Sequence, residues 1–256
     1  MYRILKVCRS AIKETEFTIL NIKGKGHNQG YYSKRSNTTE ESYYYNQRRK
    51  RNDIIDLVDI NFENEKSCFI TLTFADEAEY ELAVKGFKRF TRNARRQYNN
   101  FKYVATIELQ QRGAIHFHII CNIAELEECS QFVSDYWTYG THDVQSIYDK
   151  NKLALYLTKQ FIAQDKTSPL FNRRCYFVSQ GLDKPYVVKS WDISDSAYNT
   201  IKSAVVDNLI TRNSVTNSFS GSVNYNSYSV KGNTIYSILP NYVLAEKRCN
   251  HFNITI

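Results

Sequence analysis

His116 and His118 flank Phe117 in an apolar run. In an extended strand side chains alternate, so both imidazoles share one face and Phe117 points to the other. That spacing lets two imidazoles converge on one ion. The chain has only 5 histidines, and two of them stand here. Taking Gln111, Arg112 and Gly113 as a hairpin turn, with glycine free to take positive φ, Glu108 falls opposite His116. It is then diagonal to His118 on the same face. One carboxylate and two neutral imidazoles suit Mg²⁺, Mn²⁺, Co²⁺ or Zn²⁺, and sequence does not choose among them. The plainer alternative is a pair of satisfied strand histidines beside an exposed glutamate.

A second reactive group stands downstream, in Leu155-Tyr156-Leu157-Thr158-Lys159. Leu153, Ala154, Leu157 and Phe161 make the apolar stripe of a helix, and Tyr156 falls off it beside Lys152 and Lys159. Residues three apart are neighbours on a helix, so Lys159 can favour the phenolate or hold a phosphate near its oxygen. Tyrosine can form covalent intermediates. The chain has 20 tyrosines, however, and most tyrosines at helix boundaries simply pack.

The elements that position these groups follow from periodicity. Phe69–Phe74 reads as a buried strand. Residues 79–98 read as a helix with Ala83, Phe87, Phe90, Ala94 and Tyr98 as its apolar stripe. Lys85, Lys88, Arg89, Arg92, Arg95 and Arg96 occupy the rest of that helix. Tyr103–Gln110 and Ala114–Cys121 read as strands. Residues 125–138 read as a helix with Leu126, Phe132, Val133, Tyr136 and Trp137 in the core. His142–Ile147 reads as a strand, Lys152–Ala163 as a helix and Cys175–Val178 as a further strand. The order β-α-β-β-α-β is the split βαβ pattern of an α+β, ferredoxin-like (RRM-like) plait with a central antiparallel sheet, followed by the tyrosine-bearing helix. Both helices on one face would leave the other open to a ligand.

The ends read differently. Residues 1–66 look like a basic extension, with a strand in Glu16–Ile22, a loop over Gly24–Glu41, and a helix running from Arg48-Arg49-Lys50-Arg51 into Ile54, Ile55 and Val58. The tail from 191 is rich in Ser, Asn and Tyr, with a helix near Tyr198–Leu209 and strands permitted in Ser222–Ile238. The expected division is therefore 1–66, a catalytic domain at 67–190, and a tail of unassigned role at 191–256.

Composition defines the setting. Hydrophobic residues at 42% can build a core, and no stretch is long and apolar enough to span a membrane. The net charge of +8 suits a polyanionic partner. Lys88, Arg92, Arg95, Arg96, Arg112 and Lys152 are the candidate DNA contacts. Six scattered cysteines with no CxxC pair read as reduced, buried thiols. A soluble protein of a reducing compartment, the cytoplasm, is expected.

Three segments together resemble a known family. They are Phe69-Ile70-Thr71-Leu72-Thr73-Phe74, then Glu108 through His118 with its stretch RGAIHFH, then Tyr156-Leu157-Thr158-Lys159. In order, spacing and context they look like the three motifs of HUH endonucleases, above all the rolling-circle replication initiator (Rep) proteins of plasmids and single-stranded DNA phages. The resemblance spans about residues 67–185. It implies that His116 and His118, helped by Glu108, hold Mg²⁺ or Mn²⁺. It implies that Tyr156 attacks single-stranded origin DNA, giving a 5′-phosphotyrosine and a 3′-OH primer, with Lys159 orienting tyrosine or phosphate. Host helicase and polymerase are the further partners it implies. Some relatives carry a second tyrosine one turn on. Gln160 and Phe161 stand there, so the resemblance is to a single-tyrosine enzyme. No Walker motif follows.

Three other readings use the same residues. A transposase or relaxase would share the chemistry and differ in its DNA. A non-enzymatic single-strand binder would read bases on sheet aromatics and be indifferent to metal. A small zinc hydrolase would use water as nucleophile and leave Tyr156 and the basic helix without a role.

Overall fold

The computed structural model describes residues 2–18, 40–76, 79–110, 113–159, 161, 168–217 and 221–230. In chain order its elements are β1 (Tyr2–Val7), β2 (Ala11–Thr18), α1 (Glu40–Asn61), β3 (Cys68–Thr73), α2 (Tyr80–Gln97), β4 (Tyr103–Leu109), β5 (Ile115–Cys121) and α3 (Leu126–Tyr136). There follow β6 (His142–Ser146), α4 (Lys150–Leu157), β7 (Tyr176–Val178), β8 (Tyr186–Lys189), α5 (Asp195–Val205), β9 (Val206–Asn217) and β10 (Gly221–Val230). None of the described helices is long and apolar enough to cross a membrane.

Two compact units result, Arg35–Asp183 and Met1–Lys34 with Lys184–Ile256. These bounds differ from the division at 66 and 190 read from composition, and packing explains why. Ile54 and Val58 of α1 are fully buried in the same core as the plait strands, so α1 is no extension. β8, four residues of which precede 190, pairs with β1.

The Arg35–Asp183 unit is an α+β fold around an antiparallel sheet of order β6-β3-β5-β4-β7. Its first four strands have the strand order of a split βαβ plait, and β7 extends the edge beyond β4. Period-2 alternation sorts the side chains. Ile70, Leu72, Ile107, Phe117 and Ile119 point to one face, where α2 and α3 lie. Phe87 of α2 stacks on Phe117 with ring centroids 4.5 Å apart and planes 8° apart. Ala83, Phe90 and Ala94 are buried beside it, as the helical stripe requires. Phe132, Val133 and Trp137 are buried, and the Trp137 indole donates to the Thr73 carbonyl at 3.2 Å. Leu126 and Tyr136, read as core, are exposed at the two ends of α3. An 11-residue helix has room on its buried face for fewer anchors than the pattern offered.

The opposite face is not left open, contrary to the simple plait. α4 and α1 pack there and against each other. Phe161 meets Tyr176 at 6.2 Å, and Val104, Thr106 and Ile120 have no exposed surface. Only the end carrying Glu108 and His116 stays half exposed. α4 begins at Asp149, whose carboxylate caps the amides of Asn151 and Lys152. It stops at Thr158, whose hydroxyl donates back to the Ala154 carbonyl at 2.7 Å. The helix is therefore shorter than Lys152–Ala163 predicts. Of the residues after it, Phe161 is helical and buried, while 160 and 162–167 lie outside the described residues.

In the other unit β8-β1-β2-β10-β9 form a second antiparallel sheet. α5 packs on it through Tyr198, Ile201 and Val205. Ser194 caps that helix by accepting from the Ala197 amide. The helix expected to reach Leu209 ends at Val205 because Val206 onward pairs with β10 instead. The strand expected in Glu16–Ile22 is Ala11–Thr18, and residues 19–22, the loop at 24–39 and residues 231–238 lie outside the described residues. Cys8, Cys68, Cys121, Cys129 and Cys175 are buried free thiols, as composition suggested.

Candidate active site

The β4–β5 register pairs Glu108 with His116 and Thr106 with His118. Gly113 takes φ of 84° in the intervening turn, a conformation that glycine adopts without strain. Strand alternation then puts Glu108, His116 and His118 on the face away from α2. His118 Nε2 donates to Glu108 Oε2 at 2.9 Å. In that tautomer its Nδ1 accepts from the Thr71 hydroxyl, 3.3 Å away on β3. The Phe69 ring stacks 5.8 Å from the His118 ring. These contacts fix the imidazole from three sides. The hydrogen bond from His118 holds the Glu108 carboxyl below the usual carboxylate range. Burial opposes that shift, and the charges of His118, His116 and Lys159 reinforce it.

Among the described residues no three His, Cys, Asp or Glu side chains are drawn together closely enough to cage an ion. The reason is visible. His118 Nε2 is engaged by Glu108, and the His116 ring lies 6.0 Å from that of His118 at 56°. The chemistry of the donor set still fits a hard divalent cation. Neighbouring ligands around Mg²⁺ stand about 3 Å apart, and the Glu108–His118 pair is at 2.9 Å. A cation on Nε2 would replace the proton now shared with Glu108. Thr106 Oγ1, in register with His118 and fully buried, has no hydrogen-bond partner among the described residues. The same face thus keeps a spare polar atom.

Tyr156 reaches this cluster from α4. Its ring meets the His118 ring edge-on, centroids 5.7 Å apart, and the residue is 54% exposed. It sits on the solvent side of α4, off the stripe formed by Ala154 and Leu157. Lys159, one turn on, is exposed and close enough to influence the Glu108 carboxyl. Beside Tyr156 lies a cleft of about 320 Å³ lined by Phe69, Gln145, Tyr148, Asp149 and Lys152 among others. The structure therefore assembles Glu108, His116, His118, Tyr156, Lys159 and Lys152 in one region.

It does not bring the basic face of α2 there. Lys88, Arg92, Arg95 and Arg96 are exposed on a helix that packs on the other side of the sheet. Arg112 lies outside the described residues. Thr71 was missed by sequence reasoning, which treated its strand only as core. Thr71 and Thr73 alternate with Ile70 and Leu72, and that alternation was the available signal.

Residues 67–165 match a family of replication-associated proteins, described by its ORF2 member. That span begins just before β3 and ends after α4, so it holds every site element described above. The match supports a replication-initiator family, DNA replication as the setting and DNA as the partner. No curated protein and no solved structure matches the chain.

Proposed function

We propose that this chain is a replication initiator of the HUH endonuclease type, which nicks and rejoins single-stranded origin DNA through Tyr156. The observation that carries the reading is the edge-on approach of Tyr156 to His118 at 5.7 Å, on the sheet face that also holds Glu108 and His116. Two further features support it. The phenol is exposed to a substrate, and the family match covers the same elements.

In this reading the Tyr156 oxygen attacks phosphorus and gives its proton to solvent. The bond from phosphorus to the 3′ oxygen breaks, and that oxygen takes a proton to become the primer hydroxyl. The 5′ end stays on Tyr156 as a phosphodiester. In rejoining, a 3′-OH attacks the same phosphorus and Tyr156 leaves, recovering its proton. Lys159 holds the phosphate beside the phenol. Glu108, His116 and His118 would bind Mg²⁺ or Mn²⁺, which supplies Lewis-acid stabilisation of the phosphate charge. Thr71 keeps the His118 ring oriented.

The test is incubation with a panel of single-stranded oligonucleotides and Mn²⁺, followed by mass analysis for a tyrosine adduct. An adduct at Tyr156, lost in Tyr156→Phe and on chelation, is expected. A covalent adduct formed by Tyr156→Phe at the wild-type rate overturns the assignment.

A further inference from the structure

Two faces of the β8-β1-β2-β10-β9 sheet differ in kind. One carries Leu5, Val7, Ile12, Val188 and Tyr228, all buried with α5. Strand alternation sends the intervening residues to the other face, where no described helix of this unit packs. On that face Tyr2 pairs with Phe17, and Phe17 pairs with Val223. The next row runs from Lys189 through Ile4 and Thr15 to Tyr225. The third runs from Val187 through Lys6 and Lys13 to Ser227.

The aromatic rings are stacked in order. Trp191 lies on Tyr2 at 3.8 Å with planes 12° apart, and Tyr2 lies on Phe17 at 5.3 Å and 22°. Trp191 ends the stack and is 66% exposed, while Tyr225 is 44% exposed further along the face. Lys189 Nζ stands 5.6 Å over the Trp191 ring. Asp192 is the neighbour whose charge reaches Tyr2.

We infer that this face is a second nucleic-acid site, a platform for single-stranded DNA on which a base extends the Trp191-Tyr2-Phe17 stack. Aromatic rings left in water beside lysines are the combination that single strands use, since every base has a π-face and every nucleotide a phosphate. A duplex hides its bases and cannot use the stack. A protein partner would favour a face poor in lysine at its centre. Lys6, Lys13 and Lys189 supply the complementary charge, and the phosphates run on their side, away from Asp192. The inference rests on the reading of the chain as a DNA enzyme only in choosing DNA over RNA.

The chain provides its own reporter. It has two tryptophans, and Trp137 is buried in the other core. In the full-length protein a short oligothymidylate should quench tryptophan emission, and Trp191→Phe should remove the quench. Trp191→Ala and Tyr225→Ala should each weaken binding, measured by anisotropy, about tenfold. Lys6→Glu with Lys13→Glu should flatten the salt dependence. Oligothymidylate that binds without changing Trp191 emission overturns the inference. So does wild-type affinity in both alanine variants, or equal quenching by duplex DNA. Conversion of a stable dimer to a monomer by Trp191→Ala also overturns it, assigning the face to a second copy of the chain. Tyr156→Phe should keep the quench. Quenching without adduct formation sinks the nicking reading alone, and adduct formation without quenching sinks this one alone.

Discussion

Lys150, the first residue of α4, reaches across to Asp59 near the end of α1, Nζ to Oδ1 3.3 Å. The same ammonium donates to the carbonyls of Asp59 and Phe62. The Asp59 side chain is only 5% exposed. A buried cation shared by a carboxylate and two carbonyls fixes where α4 starts, and so where Tyr156, under two turns on, meets His118. Lys150→Met is expected to cost about 3 kcal/mol, because it strips a buried carboxylate of its cation. Urea denaturation checks the loss. Adduct formation by the folded fraction should also slow, since Tyr156 is then less firmly placed. Adding Asp59→Leu should recover stability but not the rate.

Thr71 faces His118 Nδ1 at 3.3 Å. Outer-shell partners of this kind orient a ligating imidazole, and losing one typically weakens metal binding about 10–100-fold. Thr71→Val should therefore raise the Mn²⁺ concentration needed for adduct formation by that order. The rate at saturating Mn²⁺ should stay near wild type. Glu108→Ala removes a donor itself, and excess Mn²⁺ should not restore it. A Mn²⁺ titration of the three proteins separates these outcomes.

How much of this was legible in the sequence depends on the range of the interaction. The Glu108–His116 register could be read because a short turn and a period of two determine it locally. Tyr156 could be placed off the α4 stripe for the same reason, by counting turns. The pairing of Tyr2–Val7 with Tyr186–Lys189 had no such signal, because strands so far apart carry no mark of one another. The place of α1 in the plait core was hidden likewise. Ile54 and Val58 show an apolar face but not what it covers. The basic residues of α2 were identified correctly as exposed, yet their side of the sheet follows only from Phe87 meeting Phe117.

That side of the sheet has a consequence for Arg92 and Arg96. They lie across the sheet from Tyr156, so they can attract DNA but cannot touch the reacting phosphate. Arg92→Glu with Arg96→Glu should weaken DNA binding and reduce the salt slope by about 1 for each phosphate contact removed. Adduct formation at saturating oligonucleotide should be unchanged. Lys159→Ala should do the reverse, slowing the reaction at saturation with little effect on affinity. Single-turnover kinetics over a range of salt distinguishes the two.

Glu14 sets a pH limit on the other unit. Its carboxylate has no exposed surface and accepts from Lys202 Nζ at 2.7 Å, Tyr228 at 2.8 Å and Tyr198 at 3.1 Å. Burial pushes its pKa up, but the hydrogen bonds from Lys202, Tyr228 and Asn226, with the Lys202 charge, hold it below the ordinary value. A carboxylate with a folded pKa below its unfolded pKa stabilises the fold above the unfolded value, about 4.3 for glutamate. That contribution fades as pH falls through the folded value. Glu14→Gln should therefore be less stable than wild type at neutral pH. The gap should narrow progressively as the pH drops below about 4. Hydrogen exchange of the amides in β1, β2 and β10, followed from neutral to acid pH in both proteins, measures it. A gap that stayed constant across that range would show that Glu14 acts through shape and hydrogen bonding alone, and not through its charge.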